Sequence, residues 1–365
     1  MPYAVPNPRT WGNEFITAPK LRDLGNSIGF LRQRPLFQGY QATAQAVADQ
    51  TYTPVNMDVE TLDNWAVHST TINPSRYPVP VDGWYLVMGH LFFDYAASSS
   101  NFSHSISFRA TTNNGGTVTD YRGETRPGAS THQPGVFGAE LLQLRKSTND
   151  YVEMLAWQNT GVTRNLLADV SAASIKSSVM SVSWVASLTG TTGLAVPSPA
   201  SWTSPISSAQ LNAYRDHVRF LTYPPIARLT LNSAQGIPSQ TWAASTPIQF
   251  DSATVDNYGG WNAGINPTRY SFPRSGVYYI YGMYSCSSNA SGTRGVGLQI
   301  NTNAVLWGTH DMPCTATAPA HRITVARTRR VNAGDYVQLV VTQSSGATRN
   351  TQAPHATLIA VWQGV

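Results

Sequence analysis

At 365 residues the chain is long for one small domain and suits two, each large enough to bury a core without disulfide or metal staples. Charged residues make up 12% and apolar residues 41%, a balance that excludes a disordered chain. The net charge of +5 sits on scattered arginines, with Arg327, Arg329 and Arg330 the densest group, so no nucleic-acid surface is expected. No uncharged apolar run approaches the roughly 20 residues of a spanning helix, so no membrane insertion is expected either.

The N-terminus, Met-Pro-Tyr-Ala-Val-Pro, has neither a charged n-region nor an apolar h-region, which predicts synthesis in a cytoplasm without a secretory leader. After Trp11, a first helical leader is predicted over residues 18–35. Thr17 can cap it, Pro19 suits its first turn and Pro35 ends it. Leu21, Leu24, Ile28 and Leu31 recur at helical spacing and form one apolar stripe. So short a helix must dock to be stable. Because the module that follows reads as complete, docking on another subunit or a larger assembly is expected.

The period then changes to two. Residues 72–89, INPSRYPVPVDGWYLVMG, lead through a turn at Asp82-Gly83 into a strand. Tyr85 and Val87 share one face of that strand, and Trp84, Leu86 and Met88 the other. Further strands are predicted at 105–109, 150–157 and 179–186, the last carrying Trp184. Residues 187–205 are of linker composition. A second leader follows Trp202: Ser207 or Ser208 can cap it, Leu211, Tyr214, Val218 and Leu221 form its stripe, and Pro224-Pro225 stops it.

From here the chain repeats itself. INPTRYSFPRSGVYYIYG (265–282) aligns without a gap on 72–89, and DYVQLVVTQSSGATRN (335–350) on DYVEMLAWQNTGVTRN (150–165). Strands are predicted at 296–301, 335–342 and 356–362, the last carrying Trp362. The organisation read from this is a helical anchor over 1–37, a first domain over 38–187, a linker with the second helix over 188–226, and a second domain over 227–365.

FDSATVDNYGGWN (250–262), the 265–282 block, VNAGDYVQLVV (331–341) and ATLIAVWQ (356–363) resemble the jelly roll shared by tumour necrosis factor and the globular heads of complement and collagen-like proteins. The first copy departs from that pattern before its Asp-Tyr-Val and in its longer middle, 98–145. The resemblance implies an all-β fold, two tandem jelly-roll β-sandwiches each preceded by a short amphipathic helix. It also implies a homotrimer around an aromatic-rich apolar axis, for which Tyr278, Tyr279, Tyr281 and Tyr284 are available; core packing accounts for them equally. The leaders, Trp11 with Phe30-Leu31 and Pro35, and Trp202 with Phe220-Leu221 and Pro224, resemble a segment of actinobacteriophage virion proteins described as minor tail proteins.

Catalytic signals are sparse. The histidines lack zinc spacing, no nucleophile elbow appears, and GTRGVG (292–297) reads as a closely packed strand edge and not as a phosphate loop. His310-Asp311 and His321 are expected on surface loops. Cys286 and Cys314 are either bridged or two buried thiols. Asp150 and Asp335 begin matched strands, as turn residues do. Arg164 and Arg349 read either as a repeated anion or sugar contact or as closers of a loop. No cofactor and no metal are expected, and no enzyme.

The expected function is a phage virion structural protein, a trimeric tail-tip or fibre component contributing to host attachment, located in the virion. Its expected partners are itself, other virion proteins and a host cell-surface glycopolymer. The candidate assembly anchors are Trp11, Leu21, Leu24, Ile28, Leu31, Trp202, Leu211, Tyr214, Val218 and Leu221; the candidate ligand contacts are Arg164 and Arg349. The alternatives are a capsid decoration protein and an exported carbohydrate-binding protein or glycan-active enzyme.

Overall fold

A computed structural model describes residues 18–94, 103–112, 115–127, 135–171, 174–192, 194, 207–287, 289, 291–301, 306–313 and 321–364. Trp11, Trp202 and Cys314 lie outside these residues.

The leaders form helices α1 (Ala18–Arg32) and α2 (Ser208–Thr222), which touch each other. Both stop short of the expected 35 and 225, because a residue preceding proline is pushed to extended backbone. Ser207 opens α2 with a capping box: its Oγ accepts from the Gln210 N–H at 3.2 Å, while Gln210 Oε1 accepts from the Ser207 N–H at 2.8 Å.

The helices pack on their own modules through a side other than the whole expected stripe. Phe30 is fully buried and meets Trp184 edge-on at 4.9 Å; Phe220 meets Trp362 in the same way at 5.0 Å. A ring buries more apolar area than its aliphatic neighbour, so the helix turns its phenylalanine inward. Of the expected stripes, Leu211 and Val218 are buried, Leu24, Leu31, Tyr214 and Leu221 are half-buried, and Leu21 and Ile28 are exposed.

In the first half the main strands are β1 (Leu36–Tyr40), β2 (Val59–Asp63), β3 (Arg76–Pro78), β4 (Gly83–Phe92), β5 (Ser103–Thr112), β6 (Thr117–Pro127), β7 (Gly135–Leu144), β8 (Tyr151–Gln158) and β9 (Val179–Ala186). One sheet runs β2-β1-β9-β4-β7, and the facing sheet runs β6-β5-β8-β3. The second half supplies β10 (Ile226–Leu231), β11 (Ser252–Asp256), β12 (Tyr270–Ser271), β13 (Gly276–Cys286), β14 (Thr293–Ile300), β15 (Leu306–Pro313), β16 (His321–Val331), β17 (Tyr336–Gln343) and β18 (Arg349–Gly364). Their orders, β11-β10-β18-β13-β16 and β15-β14-β17-β12, repeat those of the first half strand for strand. All pairings are antiparallel, and each half is a double-sheet jelly roll.

The Pro-x-x-Gly-x-Tyr block explains itself in this frame. The Tyr85 hydroxyl donates to the Val81 carbonyl at 2.7 Å, and Tyr278 to Arg274 at 2.9 Å, closing the turn before each strand. Gly83 and Gly276 lie flat against the indoles of Trp184 and Trp362, and a Cβ at either would overlap the ring. Each indole N–H in turn donates at 3.2 Å to the carbonyl just before its glycine, at Asp82 or Ser275. Tyr85 and Val87 face their own core, as do Tyr278 and Ile280. The opposite faces, Trp84 and Leu86 in one half and Tyr281 and Met283 in the other, bury against each other in a third apolar cluster between the halves.

Two readings need correction. From Thr293 on, GTRGVG lies on β14, an interior strand between β15 and β17, where Trp242 packs on Gly295 and Gly297 and a Cβ at Gly295 would overlap its ring. His310 and Asp311 belong to β15, and His321 opens β16 fully buried, so none is a surface-loop residue. Regular strands absorb them because cross-strand pairing satisfies their backbone groups.

Candidate functional site

The block Ile-Asn-Pro-Ser/Thr-Arg-Tyr forms the same loop in both halves. Its isoleucines, Ile72 and Ile265, are 73% and 74% exposed. Behind each, an arginine leaving the loop covers a tyrosine of the neighbouring strand: Arg76 stands 4.5 Å from the Tyr151 ring centre and Arg269 4.3 Å from Tyr336. The copies differ in what steadies the arginine. Arg76 Nε donates to Glu153 at 3.3 Å, and Ser75 donates to the same oxygen at 2.8 Å. The second copy has Gln338 in place of that carboxylate, donating to Thr268 at 2.8 Å.

In the first half this loop borders a groove of about 1030 Å³. Trp65, Ile72, Asn73, Arg76, Lys146 and Tyr151 contribute to its walls. Trp65 is fixed by its indole N–H, which donates to the Gln33 carbonyl at 2.7 Å, and by Phe30, which meets it edge-on at 6.2 Å. The groove thus joins the end of α1 to the edge of the β8 sheet. Asn73 and Asn149 both adopt left-handed backbone, φ 52° and 53°, which turns the chain sharply at either side. Asp150 accepts from Thr148 Oγ1 at 2.7 Å and from the Arg145 N–H at 2.8 Å, and Asp335 accepts from the Asn332 N–H at 2.8 Å; both are turn-closing residues, as expected from the sequence. The lining offers an aromatic face, an exposed aliphatic side chain, two cationic groups and amide donors. Such a lining can meet a polar ligand through its cations and amides and an apolar or ring surface through Trp65 and Ile72.

No family model matches the sequence, and no curated protein matches it. Among solved structures the chain is similar to the globular domain of zebrafish complement 1qA protein, at 14% identity over 42% of this chain and 98% of that one, with a TM-score of 0.31. It is also similar to murine APRIL in a crystal structure at pH 5.0, at 10% identity over 38% of this chain and 98% of that one, with a TM-score of 0.30.

Arg164 and Arg349, the ligand contacts considered from the sequence, stand away from the groove lining and close loops. Arg164 Nε donates to Thr160 Oγ1 and Arg349 Nε to Ser345 Oγ, both at 3.2 Å. Gln158 and Gln343 span the same two loops, donating at 2.8 Å to Val162 and at 2.6 Å to Ala347. Among the described residues no group of three or more His, Cys, Asp or Glu is placed to hold a metal ion. Cys286 is buried with its Sγ on the His321 carbonyl at 3.6 Å.

A second constellation lies between the halves, and no motif announced it. Glu140 of β7 reaches Arg228 of β10 through a bidentate pair, with Nη2 to Oε2 at 3.0 Å and both side chains about nine-tenths buried. Tyr121 stacks 5.5 Å from the same guanidinium, and Phe137 meets Tyr281 at 6.1 Å. Glu124 of β6 approaches His310 of β15 at 3.4 Å. Thr125 pairs with Arg322 and accepts from it at 2.9 Å, joining β6 to β16. Burial, and Arg122 beside it, lower the Arg322 pKa to about 10. Glu140 and Arg228 fall outside the repeated blocks, so only folding brings them together.

Proposed function

We propose that this chain is a non-catalytic structural component of a bacteriophage particle. It assembles as a homotrimer at the tail tip or in a short fibre and contributes to attachment through a host cell-surface glycopolymer. The observation that carries this reading is the first-half groove, where Trp65, Arg76, Lys146 and Tyr151 are held by a rigid sandwich and front an exposed Ile72. Aromatic faces stack on sugar rings, while the cations suit the phosphate or carboxylate of such polymers. The placement in a virion is supported by the sequence resemblance of the leaders to phage tail proteins.

The test has two arms. Antibody raised against the purified chain is expected to label tail tips of particles in electron micrographs; labelling of heads would favour a capsid decoration instead. Purified host glycopolymer is expected to bind the chain in calorimetry, with Lys146→Ala together with Ile72→Ser weakening binding at least tenfold at unchanged thermal stability. Release of reducing sugar would replace this reading with a glycan-active enzyme.

A further inference from the structure

The two Ile-Asn-Pro loops, alike in sequence, are anchored by different chemistry. Residues 59–78 align on 252–271 without a gap, which places His68 opposite Trp261 and Glu60 opposite Ala253. The backbone fixes both anchors in the same way. Asp63 accepts from the Val67 and His68 N–H groups, each at 2.8 Å, and Asp256 from those of Gly260 at 3.0 Å and Trp261 at 2.8 Å. Each ring then reaches back across its loop to the same carbonyl. The Trp261 indole N–H donates to Pro267 at 3.1 Å, and His68 Nε2 stands 3.1 Å from the carbonyl of Pro74.

His68 has a further partner that the indole lacks. Its side chain is fully buried against Phe37, with ring centres 4.7 Å apart, and its Nδ1 lies 2.8 Å from Glu60 Oε1. A carbonyl and a carboxylate are both acceptors, so the two contacts are hydrogen bonds together only when the ring carries two protons. Around the ring stand also Asp63, which takes the two backbone N–H groups, and Tyr77, which packs on Phe37 at 5.0 Å. Burial, and Asp63 beside it, push the Tyr77 hydroxyl up, so it stays neutral. Loss of one proton from His68 leaves a lone pair facing the Glu60 carboxylate at a site with no water to intervene, which is costly. Trp261 has no such state, because an indole N–H does not titrate and Ala253 offers no carboxylate.

The anchored loop is a wall of the groove. Val67, Ser69, Ile72 and Asn73 line it, and Pro74, which also accepts from the Met57 N–H at 2.9 Å, ties down its far end. We infer that His68 is a proton latch on this loop: doubly protonated it pins residues 69–75 and the groove keeps its shape, and with one proton lost the loop loosens and the groove's hold on its ligand falls. The matched loop over 262–268, pinned by Trp261, is indifferent to pH. This deepens the reading above, on which it rests for the ligand but not for the latch.

Amide hydrogen exchange on the full chain tests the latch without a ligand, with residues 262–268 as a reference inside the same molecule. From about pH 5 to about pH 9, protection of residues 69–75 relative to 262–268 is expected to fall about tenfold. Glu60→Gln is expected to abolish that fall, because a glutamine amide donates to the unprotonated Nδ1; the side chain changed is 34% exposed, so the fold is kept. Purified host glycopolymer, titrated in calorimetry, is expected to bind the wild type about tenfold more weakly at the upper end of that range and Glu60→Gln equally at both ends. A wild-type protection ratio that ignores pH, or the same fall in Glu60→Gln, would overturn the latch. A loosened loop with undiminished binding would overturn its control of the groove. Exchange that follows the latch in a chain that binds no glycopolymer would keep the latch and sink the attachment reading.

Discussion

At the scale of single residues, the positions that repeat are those where backbone and ring meet without space between them. Gly83 and Gly276 each carry a tryptophan indole, and the indole N–H bonds the residue before the glycine. A methyl group there displaces the ring and breaks that bond, so Gly83→Ala or Gly276→Ala is expected to cost about 2–3 kcal/mol, read from urea unfolding. Where the copies differ, titration differs too. His104 and Arg294 hold matched places, opposite Gln158 and Gln343. Burial, with Arg164 adding to it, holds the His104 pKa down at about 3 against an ordinary 6.5. The unfolded chain therefore takes up a proton near 6.5 while the folded one stays neutral until about 3. The stability this neutrality confers is complete above 6.5 and is lost as pH falls through that window. The melting temperature of the first half is expected to drop between pH 6.5 and 4, and His104→Phe to flatten that dependence.

At the scale of elements, the helices show what a sequence pattern carries and what it does not. Helical spacing located α1 and α2 and the Ser207 cap of α2, and period two with turn residues located the strands around Tyr85, Tyr278 and Tyr336; Thr17, the cap expected for α1, lies outside the described residues. The face of a helix that meets the core was less legible, since Phe30 and Leu31, or Phe220 and Leu221, are neighbours and either fits an apolar stripe of period 3.6. Only the aromatic partner across the sandwich, Trp184 or Trp362, decides it. Phe30→Ala is accordingly expected to destabilise the first half by roughly 3–5 kcal/mol, whereas Leu21→Ser, on the exposed side, is expected to stay within about 0.5 kcal/mol. Thermal unfolding of the two variants side by side makes the comparison. The groove was legible only in part: its loop is a repeated block, but Trp65 and Lys146 reach it from elsewhere in the chain and carry no spacing signal.

At the scale of the whole molecule, the halves behave as paralogous modules with unlike tasks in one interface. The apolar cluster formed by Trp84, Leu86, Tyr281, Met283 and Val361 supplies area without direction, since any two such faces attract. Direction comes from Glu140 and Arg228. Burial works against the charge on Arg228, yet Glu140 more than offsets it, so the guanidinium pKa is raised overall. A buried pair of this kind adds little net stability compared with apolar residues of similar volume, but removing one member strands the other charge. Arg228→Ala is therefore expected to cost about 3–5 kcal/mol, concentrated at the contact between the halves. The single unfolding transition expected of the intact chain in calorimetry should then split into two. Glu140→Leu combined with Arg228→Met should merge the transitions again, because the apolar cluster remains and no charge is left without a partner. Two transitions in that double variant would mean that the pair holds the halves together as well as orienting them.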